Sequence, residues 1–205
     1  MPNVISLNNI SMRIQERFIL NNISLDIQDK NITVITGHNG AGKTTLLKVM
    51  AKLLKPSNGD IHYNDTSIFA KSSFMFQKSI FLNRSVEANL AYALSCSNEN
   101  NVDYKSKVLK YLHHYKLEYL YGSPAKNLSS GEQQLISFIR AIITKPRILF
   151  LDEPTSSLDS NYRNIIHEKI IQMSEYVKII IISQSKEQIK LFTTQPIVIE
   201  KGRVK

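Results

Sequence analysis

Apolar residues along this chain fall into two patterns, and their alternation predicts an α/β protein with a mostly parallel sheet. Ile32–Ile35, Ile148–Leu151, Ile179–Ile182 and Ile197–Ile199 are short, almost unbroken apolar runs. Such runs suit strands buried on both faces. Ile23-Ser-Leu-Asp-Ile27 instead alternates apolar and polar residues, which predicts a half-buried antiparallel strand. Pro2 to Ile10 alternates in the same way. The turn Lys55-Pro-Ser-Asn-Gly59 leads into a strand at Asp60–Tyr63, and Ser73–Phe76 reads as another, ending at Gln77. Helical runs are expected at Leu46–Leu54, at Tyr104–Tyr115 and after Ser85. There Val86, Leu90 and Leu94 recur at intervals of four and Ser85 is placed as the N-cap. The polar, asparagine-rich stretch Ser95–Asp103 reads as a loop.

Two of the strand ends carry chemistry. After Ile32–Thr36 comes Gly37-His-Asn-Gly-Ala-Gly-Lys-Thr-Thr45, which fits G-x-x-x-x-G-K-[ST] at Gly37, Gly42, Lys43 and Thr44. A strand before it and a helix after it give the setting a phosphate loop needs. Glycines let the backbone close around phosphates, and N–H groups at a helix start point at the anion. Gly37, His38, Asn39, Gly40, Ala41, Gly42, Lys43, Thr44 and Thr45 are therefore the expected nucleoside-triphosphate-binding segment. Lys43 is expected on the β- and γ-phosphates and the Thr44 hydroxyl on Mg2+. A lone Gly-rich loop could be an ordinary tight turn. What weighs against that is Ile148-Leu-Phe-Leu-Asp-Glu153, an apolar strand ending in two carboxylates. Asp152 is expected to hold the Mg2+ water shell, and Glu153 to orient or deprotonate the attacking water.

Three further stretches carry a resemblance. Asn127-Leu-Ser-Ser-Gly-Glu-Gln-Gln134 lies between these motifs, Ser157-Leu158-Asp159 follows them, and Phe74-Met-Phe-Gln77 precedes them. Together with Arg140-Ala-Ile142 and Pro146, they make the chain resemble the ATP-binding cassette (ABC) family, the ATPase subunits of ABC transporters, from Ile5 to Arg203. The resemblance implies one P-loop NTPase domain over residues 1–205, with its αβ core at 1–77 and 141–205. A small antiparallel β-layer and an inserted helical subdomain at about 78–140 would complete it. It also implies that Gln77 senses Mg2+ and the γ-phosphate, so Thr44, Gln77 and Asp152 form the expected metal set. Ser129 and Gly131 of the signature, and Asp159 of the following loop, are then expected to meet ATP across a dimer of cassettes. Permease subunits, and a solute-binding protein for an importer, are the implied partners. Phe76–Leu94 is similar to cassettes of tungstate or molybdate importers.

The family pattern breaks in three places. Ser130 and Glu132 replace a glycine and a glutamine of the signature, although Ser129 and Glu132 still fit S-x-x-E, a capping box. Gln184, in Ile182-Ser-Gln-Ser185, stands where the family has its switch histidine. Its amide donates a hydrogen bond but carries no proton or charge at neutral pH. It is counted with Glu153 as a catalytic residue. Adenine is usually stacked near Ile14, where this chain has no ring. Phe18 is the nearest substitute, and the sequence leaves it open between stacking ring and core.

Composition sets the remaining bounds. The net charge of +9 could suggest nucleic acid. However, Lys and Arg are scattered without an aromatic-interleaved stripe, which points away from that partner and towards an anionic membrane face or ATP. Cys96 is the only cysteine, so the chain by itself offers no disulfide and no thiolate metal site. His113 and His114 are adjacent on a helical run and read as surface residues. No apolar run approaches the roughly 20 residues of a membrane span. The expected place is the cytoplasmic face of the cell membrane, under separate membrane subunits. The alternatives are a weakly hydrolysing nucleotide switch and a soluble cassette outside transport.

Overall fold

The computed structural model describes residues 3–28, 32–97 and 103–205. Residues 98–102 of the asparagine-rich stretch lie outside the described residues. Two sheets form the frame. The larger has six strands, with β5 (Ser72–Met75), β6 (Ile148–Asp152), β7 (Lys178–Ile182), β3 (Ile32–Thr36), β8 (Ile197–Glu200) and β9 (Arg203–Val204) in that order across it. The first five run parallel and only β9 is antiparallel. The smaller sheet has the order β2-β1-β4, all antiparallel, from β1 (Asn3–Ile14), β2 (Arg17–Gln28) and β4 (Asn58–Tyr63).

The unbroken apolar runs occupy the middle of the large sheet, and their side chains divide between two cores. Leu149, Leu151, Ile179 and Ile181 face one core, while Ile148, Phe150, Ile180 and Ile182 face the other. The first core also takes Val86, Leu90 and Leu94 of α2 (Val86–Ser95), Val108 and Leu112 of α3 (Tyr104–His114), and Leu135, Ile136 and Ile139 of α4 (Ser130–Ile142). The second takes Leu46, Leu47 and Met50 of α1 (Lys43–Met50), with Ile5, Leu7, Ile23 and Ile27 of the small sheet. The alternation in Ile23–Ile27 thus has a direct cause: Ile23 and Ile27 face the core and Ser24 and Asp26 face outward. Two further helices, α5 (Ser160–Met173) and α6 (Lys186–Phe192), connect β6 to β7 and β7 to β8.

One expected element is shorter than its apolar pattern. The helix anticipated over Leu46–Leu54 ends at Met50, because Lys52 adopts a left-handed conformation (φ 59°). The Lys52 N–H donates to the Val49 carbonyl and the Leu53 N–H to that of Lys48, a Schellman closure. Leu53 and Leu54 are then partly exposed.

Candidate active site

Strand β3 and strand β6 deliver their C-terminal ends side by side, separated only by β7, and the chemistry lies just beyond them. The loop from Gly37 to Gly42 passes between the two sheets. A Cβ at Gly37 would lie 2.0 Å from the Ile199 carbonyl oxygen, and one at Gly42 would lie 2.7 Å from that of Ile19. Both residues have positive φ, so the loop's path here demands glycine. Gly42 is also the N-cap of α1, and it offers no side chain to the first turn. Every other α-helix in the described residues is capped by a side chain: Ser85, Asp103, Ser129, Asp159 and Ser185 each accept an N–H of the first turn. The orphan N–H groups of α1 are therefore free of such competition.

They open beside a cavity of about 870 Å3, which His38 to Thr45 line together with Phe18, Gln77 and Glu153. The Lys43 side chain is buried, and its ammonium donates to the carbonyl oxygens of Gly37 (2.8 Å) and His38 (2.9 Å). Burial lowers its pKa, against the attraction of Glu153 and Asp152, which raises it. Asp152 is buried in turn, and burial pushes its carboxyl above the ordinary range while a hydrogen bond from the Thr44 side chain opposes the rise.

Glu153 is held from several sides. Its backbone is left-handed (φ 48°), an uncommon state for a residue with a Cβ. Its N–H donates to the Ile182 carbonyl of β7 (3.1 Å). Gln77 Nε2 donates to Oε2 (3.0 Å), and Gln184 Nε2 donates both to Oε1 and to Asn39 Oδ1 (2.9 Å to Asn39). Gln77, Gln184, Asn39 and Glu153, drawn from four separate stretches, thus form one hydrogen-bonded set.

The remaining expected residues lie elsewhere. Ser129, Gly131 and Asp159 do not line this cavity. Ser129 caps α4: its Oγ accepts the Glu132 N–H, while the Glu132 carboxylate accepts from the Ser129 N–H (2.9 Å) and hydroxyl (2.7 Å). The capping box is therefore complete, and these bonds from Ser129 hold the Glu132 carboxyl below its usual range. A Cβ on Gly131 would approach no atom closer than 3.4 Å, so nothing within this chain requires glycine there. Asp159 caps α5 through the Tyr162 N–H (3.0 Å). Ser129 and Asp159 are both exposed.

Phe18 is half exposed on the cavity wall, with the Arg13 guanidinium 5.5 Å from its ring centre, so it is not a core residue. Gln134, given no role by the sequence pattern, is fully buried behind Glu153. Its amide donates to the Glu153 carbonyl (3.0 Å) and to Ser156 Oγ (3.1 Å) and accepts from the Ser157 N–H (2.7 Å). The signal that could have found it is its place directly before the largely apolar run Leu135–Ile139, on the same helix.

Comparison with known proteins identifies the family and the fold. Residues 20–156 match the family profile described as ABC transporter. The tungstate uptake system ATP-binding protein TupC of Peptoclostridium acidaminophilum is 33% identical over 98% of this chain and 96% of its own length. The Fe(3+) ions import ATP-binding protein FbpC of Escherichia coli (strain K12) is 29% identical, and the spermidine/putrescine import ATP-binding protein PotA of Legionella pneumophila (strain Paris) is 31% identical. Both cover 98% of this chain, which spans only 61% and 54% of their lengths. In fold, the dimeric structure of the bacterial ABC transporter cassette MJ0796 superimposes with a TM-score of 0.89, at 22% identity, over 98% of this chain and 96% of that one. Its post-hydrolysis state bound to ADP and Pi gives 0.87 at 21% identity, again over 98% and 96%. The profile runs from β2 past the carboxylates that end β6, and a relative matches almost end to end; the chain belongs to the ABC transporter family, as an ATP-binding and ATP-hydrolysing cassette.

Proposed function

We propose that this chain is the ATPase subunit of an importer for small oxyanions of the tungstate type, working as a homodimer beneath permease subunits on the cytoplasmic face of the membrane. The observation that carries the substrate class is the nearly end-to-end likeness to a tungstate uptake cassette, whereas relatives named for Fe(3+) and polyamines extend well beyond the match. Among the described residues no helix is long and apolar enough to cross a membrane, in keeping with a subunit that needs separate membrane partners. A second cavity, of about 730 Å3, lies between β5, α2 and α4 and is bordered by the exposed Ile80, Leu82 and Tyr92. It offers a seat for a permease segment.

The uncapped N–H groups of α1 bind the phosphates, and Lys43 turns from the Gly37 and His38 carbonyls to the β/γ-phosphates. Thr44 and Asp152 present hard oxygen donors side by side, and with Gln77 they would hold Mg2+, which neutralises charge on the phosphate oxygens. Glu153 acts on the attacking water. Each of its oxygens accepts from one amide, Gln77 or Gln184, and each keeps a second lone pair with which to accept from water. Gln184 donates to the γ-phosphate. The phosphates are closed over by Ser129 and Gly131 of a second copy, with Asp159 at the same interface.

Gln184 also favours a second reading, a switch that turns over slowly. Uptake of labelled tungstate or molybdate, in cells whose own copy is deleted, tests both. Wild-type chain should restore uptake and Glu153→Gln should not. Restored nucleotide binding without uptake of either oxyanion would remove the importer reading, and uptake of another solute would change its substrate class.

A further inference from the structure

Helix α4 carries the proposed trans-acting signature at its N-terminus, and it is tied to the segment after Gln77 and to Glu153 of the cis site. Ser79 Oγ donates to the Gln133 carbonyl (3.2 Å), and Arg140 Nη1 donates to that of Ile80 (2.6 Å), so the segment following Gln77 is pinned to α4. Gln134 makes the corresponding tie to Glu153. Its side chain is buried, uses both amide hydrogens and accepts one bond, and all three partners lie in the segment Glu153–Ser157. The main chain of Glu153 is thereby held at both ends, its N–H by Ile182 of β7 and its carbonyl by Gln134 of α4. A left-handed glutamate persists only where its surroundings over-determine it. The Glu153 carbonyl also accepts from the Ser156 N–H (3.3 Å) within its own turn, so the Gln134 amide is the tie seen from that carbonyl to α4.

We propose that Gln134 is a positioning residue. It holds Glu153 in its left-handed conformation and couples the aim of the Glu153 carboxylate to the position of the signature end of α4. Four residues lie between Ser129 and Gln134, so the tie spans little more than one helical turn. Movement of α4 on docking against a partner's nucleotide therefore reaches the chain's own water-activating group through a single side chain. Hydrolysis at one site of the dimer is made conditional on closure at the other. This inference rests on the dimeric ATPase reading given above.

The chemistry of the amide supplies a specific test. A protonated glutamic acid has the same shape as glutamine, donates one hydrogen bond and accepts another, whereas an ionised one repels the Glu153 carbonyl oxygen. Burial disfavours the ionised form. Gln134→Glu should therefore be impaired in alkaline solution and recover kcat as the pH falls towards about 6, relative to wild type measured in parallel. Gln134→Leu should lower kcat by about tenfold or more with KM for ATP within about twofold, since only transition-state alignment is lost. A kcat for Gln134→Leu within about twofold of wild type, or a Gln134→Glu profile parallel to wild type, overturns the proposal. If the leucine variant fails to fold, the pH profile of Gln134→Glu decides alone. Glu153→Gln is assayed alongside. Wild-type hydrolysis there would sink the base assignment itself, whereas an inactive Glu153→Gln beside unaffected Gln134 variants would sink only the positioning role.

Discussion

Two helix N-termini in this chain are proposed to meet phosphate, and they differ in how they are finished. That of α1 has no side-chain cap and opens on a cavity lined by Lys43, Thr44, Gln77 and Glu153, with Gln184 bonded to Glu153 and Asp152 to the Thr44 side chain. That of α4 is closed on itself by Ser129 and Glu132, is exposed, and lies outside that cavity. On the proposed reading the first is a nearly complete half-site. The second is then a surface whose phosphate-facing groups are occupied by local bonds in the single chain. Its Gly131 meets no atom of this chain that a Cβ would displace. The difference teaches that an isolated chain should hold ATP by its α1 half, and that the α4 half should matter only once a second chain arrives.

Lys43→Ala should break the first half. With the loop's one buried cation gone, ATP affinity of the lone chain should fall on the order of a hundredfold, the range expected for charge-assisted bonds. Equilibrium titration with a fluorescent ATP analogue measures it, and unchanged affinity would mean that α1 is not the phosphate site.

Phe18→Ala should weaken binding next. Stacking on an aromatic ring is worth about 1–3 kcal/mol per base, and every base has a face to stack. ATP affinity should drop at least about fivefold, and GTP should compete within about tenfold of ATP in the wild type. A Phe18→Ala chain that binds as before would move adenine to another wall.

Gln184→His should raise steady-state hydrolysis by up to about tenfold with little change in affinity, because a charge-assisted bond is roughly twice as strong as a neutral one. No gain would place the γ-phosphate away from residue 184, or show that Asn39 and Glu153 have adapted to an amide.

Glu132→Gln sharpens the second half with the smallest effect. Glutamine keeps the acceptor for the Ser129 N–H and removes a negative charge that docking would bring towards phosphates. ATP-driven association should tighten by a few-fold, in line with exposed charge effects of about 0.2–1 kcal/mol. Weaker association would mean that the carboxylate serves the interface as it stands.

Much of this was legible in the chain because short-range rules fix it. The apolar runs place β3, β6 and β7, and each strand's end then determines what stands beyond it: the phosphate loop after Thr36, Glu153 after Asp152, and Gln184 two residues past Ile182. S-x-x-E foretold the capping box at Ser129, and the interval of four foretold α2 with its Ser85 cap. Long-range facts were not legible. Nothing local says that Asp60–Tyr63 adds to β1 rather than to the large sheet. Nothing in the apolar pattern says that Lys52 stops α1 short of Leu54, since the left-handed residue of a Schellman closure is usually glycine and a lysine there carries no signal in the sequence. Phe18 could not be assigned to wall or core from its neighbours. Gln134 looked like part of a motif, and its partners 19 to 23 residues onward came into view only with the fold.

The most direct test of the two-half account follows the mass of Glu153→Gln by sedimentation with and without ATP, alone and combined with Gly131→Asp. The chain of 23.4 kDa should sediment as a monomer without nucleotide and as a dimer with ATP. Adding Gly131→Asp should abolish the dimer while leaving the monomer's ATP affinity within about twofold, because on this account that glycine serves only the other copy's nucleotide. A Glu153→Gln chain that stays monomeric with ATP bound, or a Gly131→Asp substitution that costs the monomer its ATP, would contradict it.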